Sequence, residues 1–201
     1  MKTILGVSLA ILAGCSQDSS ARPTTAVAKP PNKIVEGALM QAREGADYTT
    51  GYFKIPYPGG DIERSKGVCT DVVIRSLRHA GYDLQKLIHE DMRQNFRRYP
   101  RRESRPDSNI DHRRCPNQMA FFRRFGRTLT NVVSPQSLQH WRPGDIVYWK
   151  LPNGLDHTGV LTHNVNARGE PLVVHNIGRC MEEDVLTKWK IVGHFCYPAN
   201  R

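Results

Sequence analysis

Gly67-Val68-Cys69-Thr70-Asp71-Val72-Val73-Ile74-Arg75-Ser76-Leu77 places a cysteine where a turn becomes a helix. Gly67 breaks the chain before it. From Val72 onward apolar residues fall at 72, 73, 77 and 80, the spacing of a helix with one buried face, and Gly81 ends it. A thiol in the first turn of a helix faces unpaired backbone N–H groups and the positive end of the helix dipole. Both lower its pKa and favour the thiolate. An isolated cysteine would equally suit a small apolar core position. The chain downstream favours the reactive role, because histidines follow on predicted strands in the order a cysteine hydrolase needs.

Upstream of that helix, Asn32 caps a segment in which Ile34, Val35, Ala38, Leu39 and Ala42 share one face. Tyr52 to Gly60 is rich in Tyr, Pro and Gly and reads as a loop. Downstream, Leu84 to about Phe96 is helical, and Pro100 to His112 reads as a surface loop. Pro116 to Phe125 reads as a helix with Pro in its first turn and Met119, Phe122 and Phe125 inward. Beyond Pro135 the pattern becomes β: Asp145 to Trp149, His157 to Thr162, Leu172 to Asn176 and Ile191 to Tyr197, separated by turn chemistry at Pro152-Asn153-Gly154 and Asn166 to Gly169. Helices first and an antiparallel sheet afterwards make an α+β domain over residues 32–201.

The 201-residue chain suits one such domain, and its formal charge is +10. Arg93, Arg97, Arg98, Arg101, Arg102 and Arg105 concentrate much of the excess. They favour an anionic contact such as an envelope polymer or a phospholipid surface, or else form a solvated loop. No nucleic-acid-binding motif accompanies them, so nucleic acid is not expected as a partner. No HExxH-type spacing occurs and adjacent residues of His89-Glu90-Asp91 point different ways on a helix, so neither metal nor cofactor is expected.

Met1 to Gly14 carries one Lys and then an apolar run too short to span a bilayer. It ends in Leu12-Ala13-Gly14-Cys15, which resembles the lipobox of bacterial lipoproteins. That resemblance implies a signal peptide over 1–14, lipidation of Cys15 and, with Ser16 following, the outer membrane of a Gram-negative envelope. Residues 15–31, rich in Ser, Thr, Ala and Pro, read as a tether. Export would put Cys69, Cys115, Cys180 and Cys196 in an oxidising compartment. With Cys69 a free nucleophile, at most one disulfide forms among Cys115, Cys180 and Cys196, in any of three pairings. The four make no CxxC pair, which argues against a zinc ribbon.

A cysteine hydrolase needs a thiolate, a histidine to carry its proton, and a third polar group to orient that imidazole. His157 opens one predicted strand and His175 closes a neighbouring one, so the two meet at adjacent strand ends. His157 is assigned as acid/base and His175 as its orienter. Asp71, Asp156 and Asn176 flank these positions as candidates for orienting water or substrate, or for capping and turn bonding. Asn109 to Arg114 is expected to shape the cleft wall or brace the fold through buried ion pairs.

Tyr57-Pro58-Gly59-Gly60, Cys69 at a helix start, Arg142-Pro143-Gly144-Asp145-Ile146-Val147, His157-Thr158-Gly159-Val160 and His175 follow the motif order of the NlpC-type, papain-like cell-wall peptidases. Gly59 to Ile62, Gly67 to Ile74, His89 to Met92, Asn109 to Arg114, Asp156-His157 and His175 to Gly178 resemble a narrower bacterial group, domain-of-unknown-function family 1287. The resemblance covers about residues 34 to 198. It implies a papain-like fold with Cys69 as nucleophile, His157 as base and His175 as third member. It also implies Tyr57 as the tyrosine that helps hold the oxyanion beside the Cys69 N–H. Two departures are Val68-Cys69-Thr70, where those peptidases usually carry Asp-Cys-Ser, and the insertion holding Asn109 to Arg114.

The expected activity is that of a monomeric, lipid-anchored envelope hydrolase cleaving an amide in peptidoglycan through an acyl-enzyme. The alternatives are acyl hydrolysis or transfer on a lipid or lipoprotein, and a non-catalytic envelope-binding lipoprotein.

Overall fold

A computed structural model describes residues 32–100 and 104–200. The signal segment, Cys15, the tether up to residue 31, and Arg101 and Arg102 of the basic run lie outside the described residues.

Four helices precede most of the sheet. They are α1 (Lys33–Glu44), α2 (Cys69–His79), α3 (Leu84–Asn95) and α4 (Cys115–Phe125). Asn32 caps α1, its side-chain oxygen accepting from the N–H groups of Ile34 and Val35. Between α1 and α2, β1 (Asp47–Tyr48) and β2 (Lys66–Gly67) form a short parallel pair. The main sheet contains β3 (Arg127–Thr128), β4 (Ile146–Lys150), β5 (Asp156–Val165), β6 (Pro171–Asn176), β7 (Cys180–Glu183) and β8 (Lys190–Cys196). Its order is β3-β8-β4-β5-β6-β7, antiparallel throughout. The molecule is an α+β protein with helices packed on an antiparallel sheet.

Strand alternation divides the buried apolar residues between two cores. Ile146, Tyr148, Val160, Val174 and Phe195 pack with the helices. Val147, Trp149, Leu161 and Val173 face the other way and pack with Trp141, Val185 and Leu186. Leu77, Ile88 and Phe122 are fully buried. Each such side chain contributes about 1.5–3 kcal/mol, against about 0–1 for an exposed pair such as Arg64–Glu44. The cores, not surface ion pairs, therefore hold the fold.

Every residue of α2 from Cys69 to Leu77 is buried, not one face alone. The sheet and α1 cover it on two sides. Gly37 lets α1 approach closely, since a Cβ there would lie 2.7 Å from His79 Cβ and 3.0 Å from Ser76 Cα. The polar residues this buries find partners. Arg75 bonds Asp61 through Nε and Nη2, and Ser76 donates to the Val72 carbonyl.

Two other expectations need correction, and two strands carried no signal in the sequence. Asp111 to Arg113 is no surface loop but a buried 3-10 turn against the start of α2. On α4 it is Phe121, not Phe125, that turns inward, and Phe125 stays 44% exposed. Strands β3 and β7 carry no apolar pattern of their own (Arg-Thr and Cys-Met-Glu-Glu) and owe their state to pairing with β8 and β6.

Candidate active site

Cys69 is the first residue of α2, and Val68 before it is extended (φ −125°, ψ −179°). The sulfur belongs to the helix-side core. His157 and His175 belong to the opposite core, where both rings meet Trp189 edge-on and His157 stacks 5.7 Å from Trp149. The site thus straddles the sheet at the start of β5. There His157 reaches the thiol, and Nε2 of His157 lies 2.9 Å from Nδ1 of His175. That bond leaves Nδ1 of His157 for the sulfur.

Behind His175 stands Glu183, its Oε2 2.8 Å from His175 Nε2 but off the line of a hydrogen bond. The carboxylate would favour a protonated ring. Burial opposes it and wins, pushing His175 down to about 3. A neutral His175 accepts from His157 at Nδ1 and presents its Nε2–H toward Glu183. This ordering fixes the tautomer that His157 needs in order to carry the thiol's proton.

A second sulfur completes the arrangement. Cys115, the first residue of α4, places its Sγ 3.9 Å from that of Cys69, and the described cysteines are free. The Cys115 thiol pushes Cys69 down to about 5, the neighbouring His157 adds to this, and burial opposes both. Cys115 is raised well above the ordinary thiol range by the same contact. The distance is the outer limit for a sulfur hydrogen bond, so the imidazole and the helix start support the thiolate at least as firmly.

Tyr57, expected at the oxyanion position, lies elsewhere. Its ring meets His89 edge-on at 4.9 Å on the α3 side, where Glu90, Arg93 and Asp83 surround it. Tyr48, at the end of β1 and paired with Gly67, occupies the neighbourhood of the sulfurs instead. Burial, followed by the charges of Cys69, Cys115 and Asp71, pushes its phenol up, so the hydroxyl stays a donor.

Asp71 is buried and structural: it accepts from Val68 N and from Arg113 Nε and Nη2, each at 2.8 Å. Asn176 is also fully buried. Its amide donates to the carbonyls of Ala46 (3.0 Å) and Gly67 (3.4 Å), holding the chain that enters α2. Asp156 bonds Lys150 at the start of β5, and its charge reaches Cys115. Arg93, Arg97, Arg98 and Arg105 of the basic run are exposed.

Sequence reasoning missed Tyr48, Glu183 and the placement of Cys115, and it gave Gly159 no physical role. Gly159 faces His175 in the β5–β6 register. A Cβ there would lie 2.6 Å from Val173 Cγ1, 2.8 Å from the Val174 carbonyl and 3.1 Å from His175 Cβ. Only glycine lets β6 bring His175 onto His157. The signal available was the glycine two residues after His157.

His112, in the 3-10 turn at 111–113, is buried, and its Nδ1 has no partner among the described residues. Burial pushes it down to about 4. Above the ordinary histidine value of about 6.5 both folded and unfolded states leave it neutral. As pH falls below that value only the unfolded chain takes the proton, so stability falls until pH reaches about 4. The loss is on the order of 3 kcal/mol. Urea midpoints recorded between neutrality and about pH 4.5 should drop steeply for the wild type and less for His112→Gln. Parallel slopes would exclude a neutral buried His112.

Residues 35–197 match the family described as "Domain of unknown function (DUF1287)". The chain belongs to this family. The DUF1287 match runs from α1 into the last residues after β8 and includes Tyr48, Cys69, Cys115, His157, His175 and Glu183. The chain is 47% identical over 188 residues to the "Uncharacterized protein YijF" of Escherichia coli (strain K12), the alignment covering 90% of each protein. No solved structure matches it.

Proposed function

We propose that this DUF1287 protein is a papain-like cysteine hydrolase of the NlpC type that cleaves an amide bond in peptidoglycan. The observation that carries the reading is the Cys69 sulfur beside the His157 imidazole, which is hydrogen-bonded to His175, with the Glu183 carboxylate next to that second ring. The Cys69 thiolate attacks the scissile carbonyl. The oxyanion that forms meets the free N–H groups at the start of α2 and the Tyr48 hydroxyl, which takes the part first assigned to Tyr57. His157 then gives its proton to the leaving amine, producing a thioester, and afterwards takes one from the water that hydrolyses it. His175 keeps the His157 ring in register throughout, and Asp156 precedes His157 at the start of β5.

The substrate class rests on the motif order shared with cell-wall peptidases and on the exposed arginines of α3 and the turn after it, which suit an anionic polymer. The protein works in this reading as a monomer in the cell envelope, held to the outer membrane by lipid on Cys15. Incubating purified murein with the protein and analysing soluble fragments by mass spectrometry tests it. Wild type should release fragments with a new amine and carboxylate pair, and Cys69→Ala none. Equal inactivity of both on cross-linked and uncross-linked murein would refute the substrate assignment.

A further inference from the structure

The hydrolytic steps above use one sulfur, yet two sit together. Cys69 and Cys115 each open a helix, each is 6% exposed, and their sulfurs are 3.9 Å apart. The other described cysteines are engaged elsewhere: Cys196 donates to the Pro198 carbonyl, and Cys180, on edge strand β7, neighbours Arg75 and Glu44. Beyond supporting the neighbouring thiolate, the buried Cys115 thiol forms no bond and moves no proton in the hydrolytic steps, and a serine hydroxyl could donate to that thiolate from the same place. Placed there, it can capture an oxidised form of its neighbour.

We propose that Cys69 and Cys115 are a peroxide-responsive pair, in which oxidised Cys69 is resolved by Cys115 into a reversible disulfide. The Cys69 thiolate attacks one oxygen of hydrogen peroxide, forming an S–O bond and breaking O–O. The departing hydroxide takes a proton from the adjacent imidazole and leaves as water. Cys115 sulfur then attacks the sulfenic sulfur, an S–S bond replaces S–O, and the thiol proton leaves with the hydroxyl as a second water. The two sulfurs together lose two electrons and the peroxide gains them.

Geometry permits the second step. A disulfide needs the sulfurs at roughly 2.05 Å, so they must close by about 2 Å from their present separation. Both residues follow an extended one, Val68 (φ −125°, ψ −179°) and Arg114 (φ −111°, ψ 120°), so each side chain leaves the first turn of its own helix with no preceding turn of that helix to restrict its rotation. The bond would remove the nucleophile from use while protecting it from irreversible oxidation to sulfinic acid. The proposal needs only a thiolate and a thiol, and does not rest on the substrate assignment.

The test uses the reduced full-length chain, treated with hydrogen peroxide, alkylated, digested and mapped by mass spectrometry. Wild type should yield a peptide joining Cys69 to Cys115, lose alkylation at those two positions while Cys180 and Cys196 stay labelled, and recover fully with dithiothreitol. Cys115→Ser should instead give a dimedone adduct on Cys69 at low peroxide and sulfinic acid, not recovered by dithiothreitol, at higher doses. Three outcomes overturn the proposal: sulfinic Cys69 beside free Cys115 in the wild type, a disulfide joining a different pair, or no reaction of Cys69. Because wild type alone decides among these, a misfolded variant does not obscure the answer. Murein cleavage is a separate readout, so failure of the hydrolase reading and failure of this one are distinguishable.

Discussion

Replacing His157 by alanine is expected to slow the proposed amide hydrolysis roughly 10⁴-fold or more while leaving α2 and the sheet in place. The effect has two parts. Without the imidazole the leaving amine receives no proton, which stalls collapse of the tetrahedral intermediate. Cys69 also loses the neighbour that, with the Cys115 thiol, holds its pKa down. The second part is measurable without any substrate. Alkylation of Cys69 by iodoacetamide, followed at peptide level against pH, should show its inflection near 5 in the wild type and well above it in the variant. At about pH 6 the rate should fall roughly ten- to a hundredfold, since a thiolate of higher pKa is scarcer but intrinsically more nucleophilic. Far-UV circular dichroism serves as the control on folding. A variant that kept the wild-type profile would mean that His157 does not partner the sulfur.

The largest stability effect should come from Asp71→Ala. The Asp71 and Arg113 side chains are 4% and 3% exposed, and the carboxylate also accepts from Val68 N, one residue before Cys69. Removing it strands a buried guanidinium and a helix-start N–H together, a loss of about 3–5 kcal/mol. A domain of this size has about 5–15 kcal/mol in total, so the variant should unfold at a much lower urea concentration. Arg113→Met in the same chain removes the stranded charge and should recover part of the loss. If the double variant were no more stable than Asp71→Ala alone, the pair would owe its place to something other than charge compensation. A smaller loss than about 1 kcal/mol would put Asp71 in the class of exposed pairs, against its burial. The contrast with Arg75 is instructive, because its partner Asp61 is 26% exposed and water can take over part of the interaction.

Local chemistry made several elements legible without coordinates. Asn32 marks the start of α1 because its side chain can accept from N–H groups that nothing else satisfies. Pro116 marks the start of α4 because a first-turn residue needs no N–H. The runs at 146–149 and 191–196 read as strands because β-branched and aromatic residues fit a pleated, buried surface. The Cys69, His157 and His175 assignments followed from order along the chain, a helix start facing two strand ends, and the geometry unites them.

What remained hidden depends on contacts between segments far apart in sequence. Tyr57 sits twelve residues before Cys69, yet it packs on α3, while Tyr48, further off in sequence, is brought to the sulfurs because β1 pairs with β2. Glu183 lies on a four-residue edge strand with no apolar pattern, and it reaches His175 only through pairing with β6. Cys115 read as one of three spare thiols, and only the meeting of two helix starts sets it against Cys69. The amino-acid order by itself determined which residues could be nucleophile, base and orienter, because propensity, capping and hydrophobic period are properties of neighbours in the chain. The tertiary structure alone decided which tyrosine, carboxylate and second sulfur join them, because a 3.9 Å contact between residues 69 and 115 is set by how whole helices pack.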